Sequence, residues 1–124
     1  MVEERAGLAL YWLTSIGAAL VFAVPGAALL AKIPHFEGEM ALLGYPTYFL
    51  LPFGALKLAG AAMILLPGLR RLKEWAYAGM VFDTAFATYS RAAIESPLPQ
   101  ILLPLAIAGL VLASWALRPA SRRL

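Results

Sequence analysis

The chain has 124 residues, 62% of them hydrophobic and 14% charged, against roughly 45–50% and about 25% in ordinary soluble domains. A soluble domain of this size buries only about two-thirds of its unfolded surface, so the apolar surplus would face water; this excludes a disordered chain and a soluble enzyme and describes an integral membrane protein. The absence of cysteine, the lone His35 and a net charge of +3 without a basic, aromatic-interleaved face exclude thiolate chemistry, disulfide staples, bis-histidine haem and nucleic-acid binding.

Four apolar segments are predicted as helices, at about 7–31, 47–66, 74–94 and 101–117, each bounded by charge, proline or glycine. About 20 helical residues cross a hydrocarbon layer of ~30 Å, and backbone groups in lipid must be satisfied within their own segment, which favours helices over strands. The first segment follows an acid-rich leader, Met1 to Arg5, and exceeds the roughly 7–15 apolar residues of a signal peptide, so it reads as a retained helix. Pro25-Gly26 is expected to kink it or end its regular part. Between the first two segments, 39–43 is expected to form a helical turn at the interface. Pro52 and Pro104 are expected in the first turns of the second and fourth helices, where a missing N–H does least harm. The third segment carries Asp83, Thr84, Thr88, Tyr89, Ser90 and Arg91 and depends on partner helices to insert.

Short connections predict that consecutive helices are antiparallel neighbours. Seven basic residues (Arg5, Arg70, Arg71, Lys73, Arg118, Arg122, Arg123) fall on the side shared by the termini and the middle loop, against Lys32 and Arg91 on the other. The positive-inside rule then puts both termini in the cytoplasm of a multi-pass cell-membrane protein. The predicted architecture is a single-domain, all-α, four-helix transmembrane bundle.

Two charges interrupt the apolar segments. Lys57 lies nine residues before Leu66 and Asp83 nine after Glu74, which puts both about 13 Å deep, near the midplane. Either alone would cost roughly 2.5–3.5 kcal/mol there, so an ion pair or a neutral hydrogen-bonded pair is expected. Small residues flank each at helical spacing: Gly54, Gly60 and Ala61 around Lys57, and Ala76, Gly79, Ala87 and Ser90 around Asp83. Both charges are therefore expected on closely packed interhelical faces, away from lipid, with Thr14 and Ser15 completing the polar cluster. Three roles stay open for the pair: a pin for helix register, a site that binds a small molecule or moves a proton, and a contact for a partner protein.

Glu74 is expected to stabilise the start of the third helix and to meet Arg70, Arg71 or Lys73. Tyr11, Trp12, Tyr45, Tyr48, Trp75, Tyr77 and Trp115 read as interfacial belt residues. Tyr77, Thr84 and Arg91 form a seven-residue stripe for packing or for a cavity wall. Arg91 is expected at the outer interface or on Glu95, and Lys32 snorkels. His35, Glu37 and Glu39 read as a solvated loop, not a metal site. No phosphate loop, nucleophile elbow or paired-histidine motif is present.

One stretch, Leu43-Gly44-Tyr45-Pro46, then Gly54 through Ala61, then Leu65-Leu66-Pro67 and Leu72 through Gly79, with Phe82-Asp83 and Ser90 beyond, resembles the DoxX-like family of small membrane proteins. The resemblance covers about 43–91. It implies a four-helix membrane bundle whose polar motif positions are Lys57, Glu74, Asp83 and Ser90. It also implies a setting in quinone-linked sulfur oxidation, redox-stress complexes or membrane-protein assembly. The chain departs from the pattern after the serine, where Arg91 replaces an expected histidine; chemistry that uses that histidine does not carry over. The expected function is an accessory or redox-associated membrane component with a polar Lys57/Asp83 site. The alternatives are a small enzyme or carrier acting on a lipophilic molecule such as a quinone, and a purely structural partner or assembly factor. No cofactor is legible.

Overall fold

The computed structural model describes residues 2–122; Met1 and Arg123, used above in the leader and the charge count, lie outside the described residues. The described chain is all-helical: α1 (Val2–Leu30), α2 (Pro34–Leu42), α3 (Leu50–Leu65), α4 (Arg70–Ala93) and α5 (Leu98–Ala116), with short 3₁₀ turns at Thr47–Phe49 and Ala120–Arg122. Glu3 and Glu4 sit in the first turn of α1, where carboxylates offset the positive end of the helix dipole. Three helices end alike. In each, the residue after the cap adopts positive φ (Lys32 at 56°, Gly44 at 87°, Glu95 at 55°). The next amide then reaches back to the helix: Ile33 N to Ala28 O at 3.0 Å, Tyr45 N to Met40 O at 3.0 Å, Ser96 N to Arg91 O at 3.0 Å. This is the Schellman closure, which satisfies carbonyls that the helix leaves unpaired. Only one of the three uses glycine.

Each long helix packs on the next in the chain, and α5 returns to α1; the α3–α4 contact is the thinnest of these four. Side-chain pairs give the direction. Tyr11 meets Arg122, Ser15 meets Ser114, Lys57 meets Asp83, and Lys73 reaches Met63, so successive long helices run antiparallel. The middle loop, the start of α1 and the C-terminal turn therefore share one end. The core is Ala18, Ala19 and Phe22 of α1, Ala61 and Ile64 of α3, Tyr77 and Met80 of α4 and Val111 of α5.

The tightest approach lies between α1 and α3. A Cβ on Gly54 would stand 2.7 Å from the Gly26 carbonyl oxygen, and one on Gly26 would stand 2.9 Å from Lys57 Cβ. No side chain fits there. The expectation that Pro25-Gly26 ends the regular part of the first helix is corrected on this point: α1 runs through both residues to Leu30, and Gly26 is the point at which α3 crosses. The second correction concerns Pro104. Helix α5 starts at Leu98, earlier than expected, with Pro99 in its first turn, so Pro104 falls inside the helix and is buried. The expected turn at 39–43 is part of a nine-residue helix, α2.

Large apolar side chains cover the outside, among them Leu13, Leu51, Leu56, Phe82, Phe86 and Leu103. Three stretches are long and apolar enough to cross a membrane: Val2–Leu30, Thr47–Leu65 and Leu98–Ala116. Helix α4 is not one of them. It carries Asp83 and Arg91 along with the basic residues of its first turn, and its inward stripe is Lys73, Tyr77, Met80 and Thr84.

Candidate functional site

The structure brings two of the four sequence-predicted site residues together. Lys57 Nζ donates to Asp83 Oδ2 at 2.8 Å. The geometry follows from the local sequence: Gly54 and Gly26 let α3 lie against α1, which holds the Lys57 stem on the α1 backbone. The ammonium also stands 5.0 Å from the centroid of the buried Phe22 ring, a distance at which the ring quadrupole attracts a cation. The two partners differ in shelter. The Lys57 side chain is 21% exposed and that of Asp83 40%. The expectation that both charges turn away from the outside is therefore corrected for Asp83, because α4 buries the neighbouring stripe instead and leaves Asp83 at the edge of the thin α3–α4 seam. Gly79, one turn before Asp83, has open space where a side chain would be.

Glu74 and Ser90 lie elsewhere. Glu74 pairs with Arg118 and accepts from Trp115 Nε1 at 3.1 Å; the expected partners Arg70, Arg71 and Lys73 are replaced because Arg118, at the end of α5, arrives beside the first turn of α4. Ser90 Oγ lies 3.2 Å from Tyr45 Oη. Next to it Arg91 pairs with Glu39 of α2 and donates to Gln100 Oε1 at 3.2 Å, in place of the expected Glu95, which occupies the positive-φ turn. Thr14 bonds back to the carbonyls of Leu10 and Tyr11 and does not join the Lys57 cluster.

Two polar arrangements escaped the sequence reading. Ser15, Ser114 and Tyr77 form a buried hydroxyl chain across α1, α5 and α4, with oxygens 2.6 and 2.8 Å apart. Tyr11 and Tyr77 are thus core residues, 0% and 3% exposed, and leave the predicted aromatic belt, whereas Trp75 and Tyr48 stay on the outside. A signal was present: Lys73, Tyr77 and Thr84 recur at core spacing with Met80 between them.

The second arrangement closes the end of α3. Lys73 donates to the carbonyls of Met63 and Leu66, and Arg122 donates to those of Ile64, Leu65 and Leu66 at 3.1–3.3 Å. The last three carbonyls of that helix and the carbonyl of its cap residue Leu66, none of which has an intrahelical donor, are met by cations at its negative end. Burial first, and the neighbouring Arg122 guanidinium second, hold the Lys73 pKa below the ordinary lysine value.

Between α4 and α5 a shallow apolar groove is lined by Tyr77, Val81, Phe82, Val111 and Leu112, with Glu74 and Trp115 at one end. Among the described residues, no group of three or more His, Cys, Asp or Glu is arranged to hold a metal ion.

An apolar exterior, three membrane-length helices and polar groups paired between helices define a helical membrane protein. The sequence model of the DoxX-like family matches residues 6–114, and the chain belongs to that family. The match extends the resemblance seen over 43–91 into both flanking helices. No curated protein and no solved structure matches the chain.

Proposed function

We propose that this DoxX-like protein is a single-domain, multi-pass component of the cell membrane, a four-helix bundle with both termini cytoplasmic. In this reading the Lys57/Asp83 pair is a polar intramembrane site serving an accessory role in a redox-associated membrane assembly. The observation that carries it is the 2.8 Å contact between two opposite charges on adjoining helices, one of them, Lys57, inside a stretch long and apolar enough to cross a membrane. A lone charge at that depth costs roughly 2.5–3.5 kcal/mol, so a chain that keeps both has either a structural or a chemical use for them. The orientation is supported by the basic residues Arg70, Arg71, Lys73, Arg118 and Arg122, which share one end of the molecule, against Lys32 and Arg91 at the other. Glu74 and Ser90, each engaged with its own partner, hold the two ends of α4 rather than extend the site. The surrounding bilayer and a membrane or redox protein are the partners this reading requires.

A second reading has an observation of its own. The Asp83 side chain is 40% exposed, so the pair can be reached from outside the helices. That favours a small enzyme or carrier that admits a lipophilic molecule such as a quinone, with Lys57 and Asp83 handling protons. The test uses Lys57→Met, Asp83→Leu and the double variant. Either single change is expected to cost about 2.5–3.5 kcal/mol of stability; the double variant is expected to recover the fold and to lose any lipophilic molecule that mass spectrometry finds with the wild type. Quinone-dependent activity retained in the double variant eliminates the catalytic reading. Single variants as stable as wild type refute the pair itself.

A further inference from the structure

We propose that the groove between α4 and α5 holds one acyl chain of an anionic glycerophospholipid from the leaflet on the middle-loop side, with the phosphodiester of its headgroup on Arg71. The site lies apart from the Lys57/Asp83 pair and uses neither residue; from the reading above it takes only the multi-pass membrane setting.

The shape of the groove selects the chain. Its α4 wall runs from Glu74 to Phe82, about 12 Å along the axis at ~1.5 Å per residue. Dividing its volume of about 290 Å³ by that length leaves a mean cross-section of about 24 Å², the width of a single alkyl chain. Tyr77, Ala78, Val81 and Phe82 on one side and Val111 and Leu112 on the other give it apolar walls. The groove is open along its outer side, where lipid is the solvent.

The polar end selects the headgroup. Outward from the groove the structure presents first the Glu74–Arg118 pair with the Trp115 indole, whose Nε1 donates to Glu74 at 3.1 Å, and then Arg71. The Glu74 charge is offset by Arg118, whose guanidinium stands 4.9 Å from the Trp115 ring centroid, so a phosphate at the mouth meets no net negative charge. Arg71 lies three residues before Glu74 and seven before Ala78, on the stripe of α4 that forms the groove wall. It is exposed and makes no hydrogen bond or ion pair with a described residue. Lys73, Arg118 and Arg122 at the same end are engaged with carbonyls or with Glu74.

One helical turn, about 4.5 Å, separates Arg71 from Glu74, which leaves room for a glycerol backbone between the chain and the phosphate. A fatty acid, its carboxylate fixed directly to the chain, would stop beside Glu74. A choline or ethanolamine headgroup would bring its ammonium among these cations, which repel it. A phosphatidylglycerol headgroup brings one uncompensated negative charge to them.

The full-length protein in phosphatidylcholine nanodiscs tests this with two photoactivatable lipids, a phosphatidylglycerol and a phosphatidylcholine that carry the same mid-chain diazirine. On illumination the diazirine loses nitrogen and the carbene inserts into a neighbouring bond, so peptide mass mapping reads where the chain lies. The phosphatidylglycerol probe is expected to label 77–82 and 111–115 about fivefold more than the phosphatidylcholine probe, the factor that one basic residue supplies to an anionic headgroup. Arg71→Gln brings the two probes to parity. Arg5→Gln, which removes a cation from α1 at the same end of the molecule, leaves the preference intact. Ala78→Phe fills the groove and removes labelling of its walls by both probes; Arg71→Gln, at an exposed position, carries the test should that variant fail to fold. Equal labelling of wild type by the two probes overturns the headgroup selection. A loss in Arg5→Gln as large as in Arg71→Gln shows a diffuse field and overturns the site. Label spread evenly over the outer surface overturns the groove as the seat of the chain. Nanodiscs present both faces and the Lys57/Asp83 pair takes no part, so each of these failures leaves the function proposed above standing.

Discussion

The crossing of α1 and α3 makes a quantitative prediction at Gly54. Replacement by alanine adds one methyl group whose carbon would lie 2.7 Å from the Gly26 carbonyl oxygen and 2.9 Å from Leu30 Cγ. Ordinary contact begins near 3.4 Å, so the helices must part by roughly 0.7 Å (3.4 less 2.7). A radial gap of about 0.5–1 Å forfeits a quarter to a half of the dispersion energy of the atoms on either side. Overpacking of this kind costs typically about 1–3 kcal/mol, partly offset by the ~1 kcal/mol that alanine gains over glycine in a helix. Gly79 supplies the internal control, because a Cβ there meets nothing within 4 Å; Gly79→Ala carries the propensity gain without the clash. Unfolding in mixed micelles by titration with a denaturing detergent, followed by tryptophan fluorescence, should rank Gly79→Ala above Gly54→Ala by about 2 kcal/mol. A Gly54→Ala variant as stable as Gly79→Ala refutes the close crossing, and with it the reason Lys57 is held against α1.

Two further outcomes follow from the polar pairs and the turns. Ser114→Ala removes the oxygen that joins Ser15 to Tyr77 and should destabilise the fold by about 0.6–1.7 kcal/mol, the range of hydrogen bonds between membrane helices; Ser15→Ala added to it should cost little more, as a double-mutant cycle would show. Lys32→Gly and Glu95→Gly relieve positive φ at two helix ends and should each stabilise by about 1 kcal/mol in the same titration.

Much of the candidate site was legible because a helix makes position along its axis a property of residue count. Nine residues from either end of the tight middle loop bring Lys57 and Asp83 to one level, and the two meet in the structure. The ends of α4 were not legible in the same way. Glu74 had three basic neighbours in sequence yet pairs with Arg118, and Arg91 had Glu95 one turn on yet pairs with Glu39. Sequence proximity loses to the side chain that another helix delivers, because a helix end has several cations in reach and only packing orders them. The tyrosines show the same limit. An amphipathic ring reads equally as a belt residue or a buried hydroxyl, and Tyr11 and Tyr77 were decided by partners on other helices.

Composition and hydropathy by themselves established that this is a helical membrane protein and roughly where its long helices run, since apolar surplus and backbone satisfaction in lipid leave few alternatives. Tertiary structure decided which face of α4 points inward. Asp83 and Tyr77 lie on neighbouring stripes of that helix, each rich in small or polar residues, and the one-dimensional pattern ranks them equally. Packing buried the tyrosine stripe and left the acid at the seam, because the hydroxyl could be matched by Ser114 in the interior while the carboxylate needed a cation that α3 presents only at its edge.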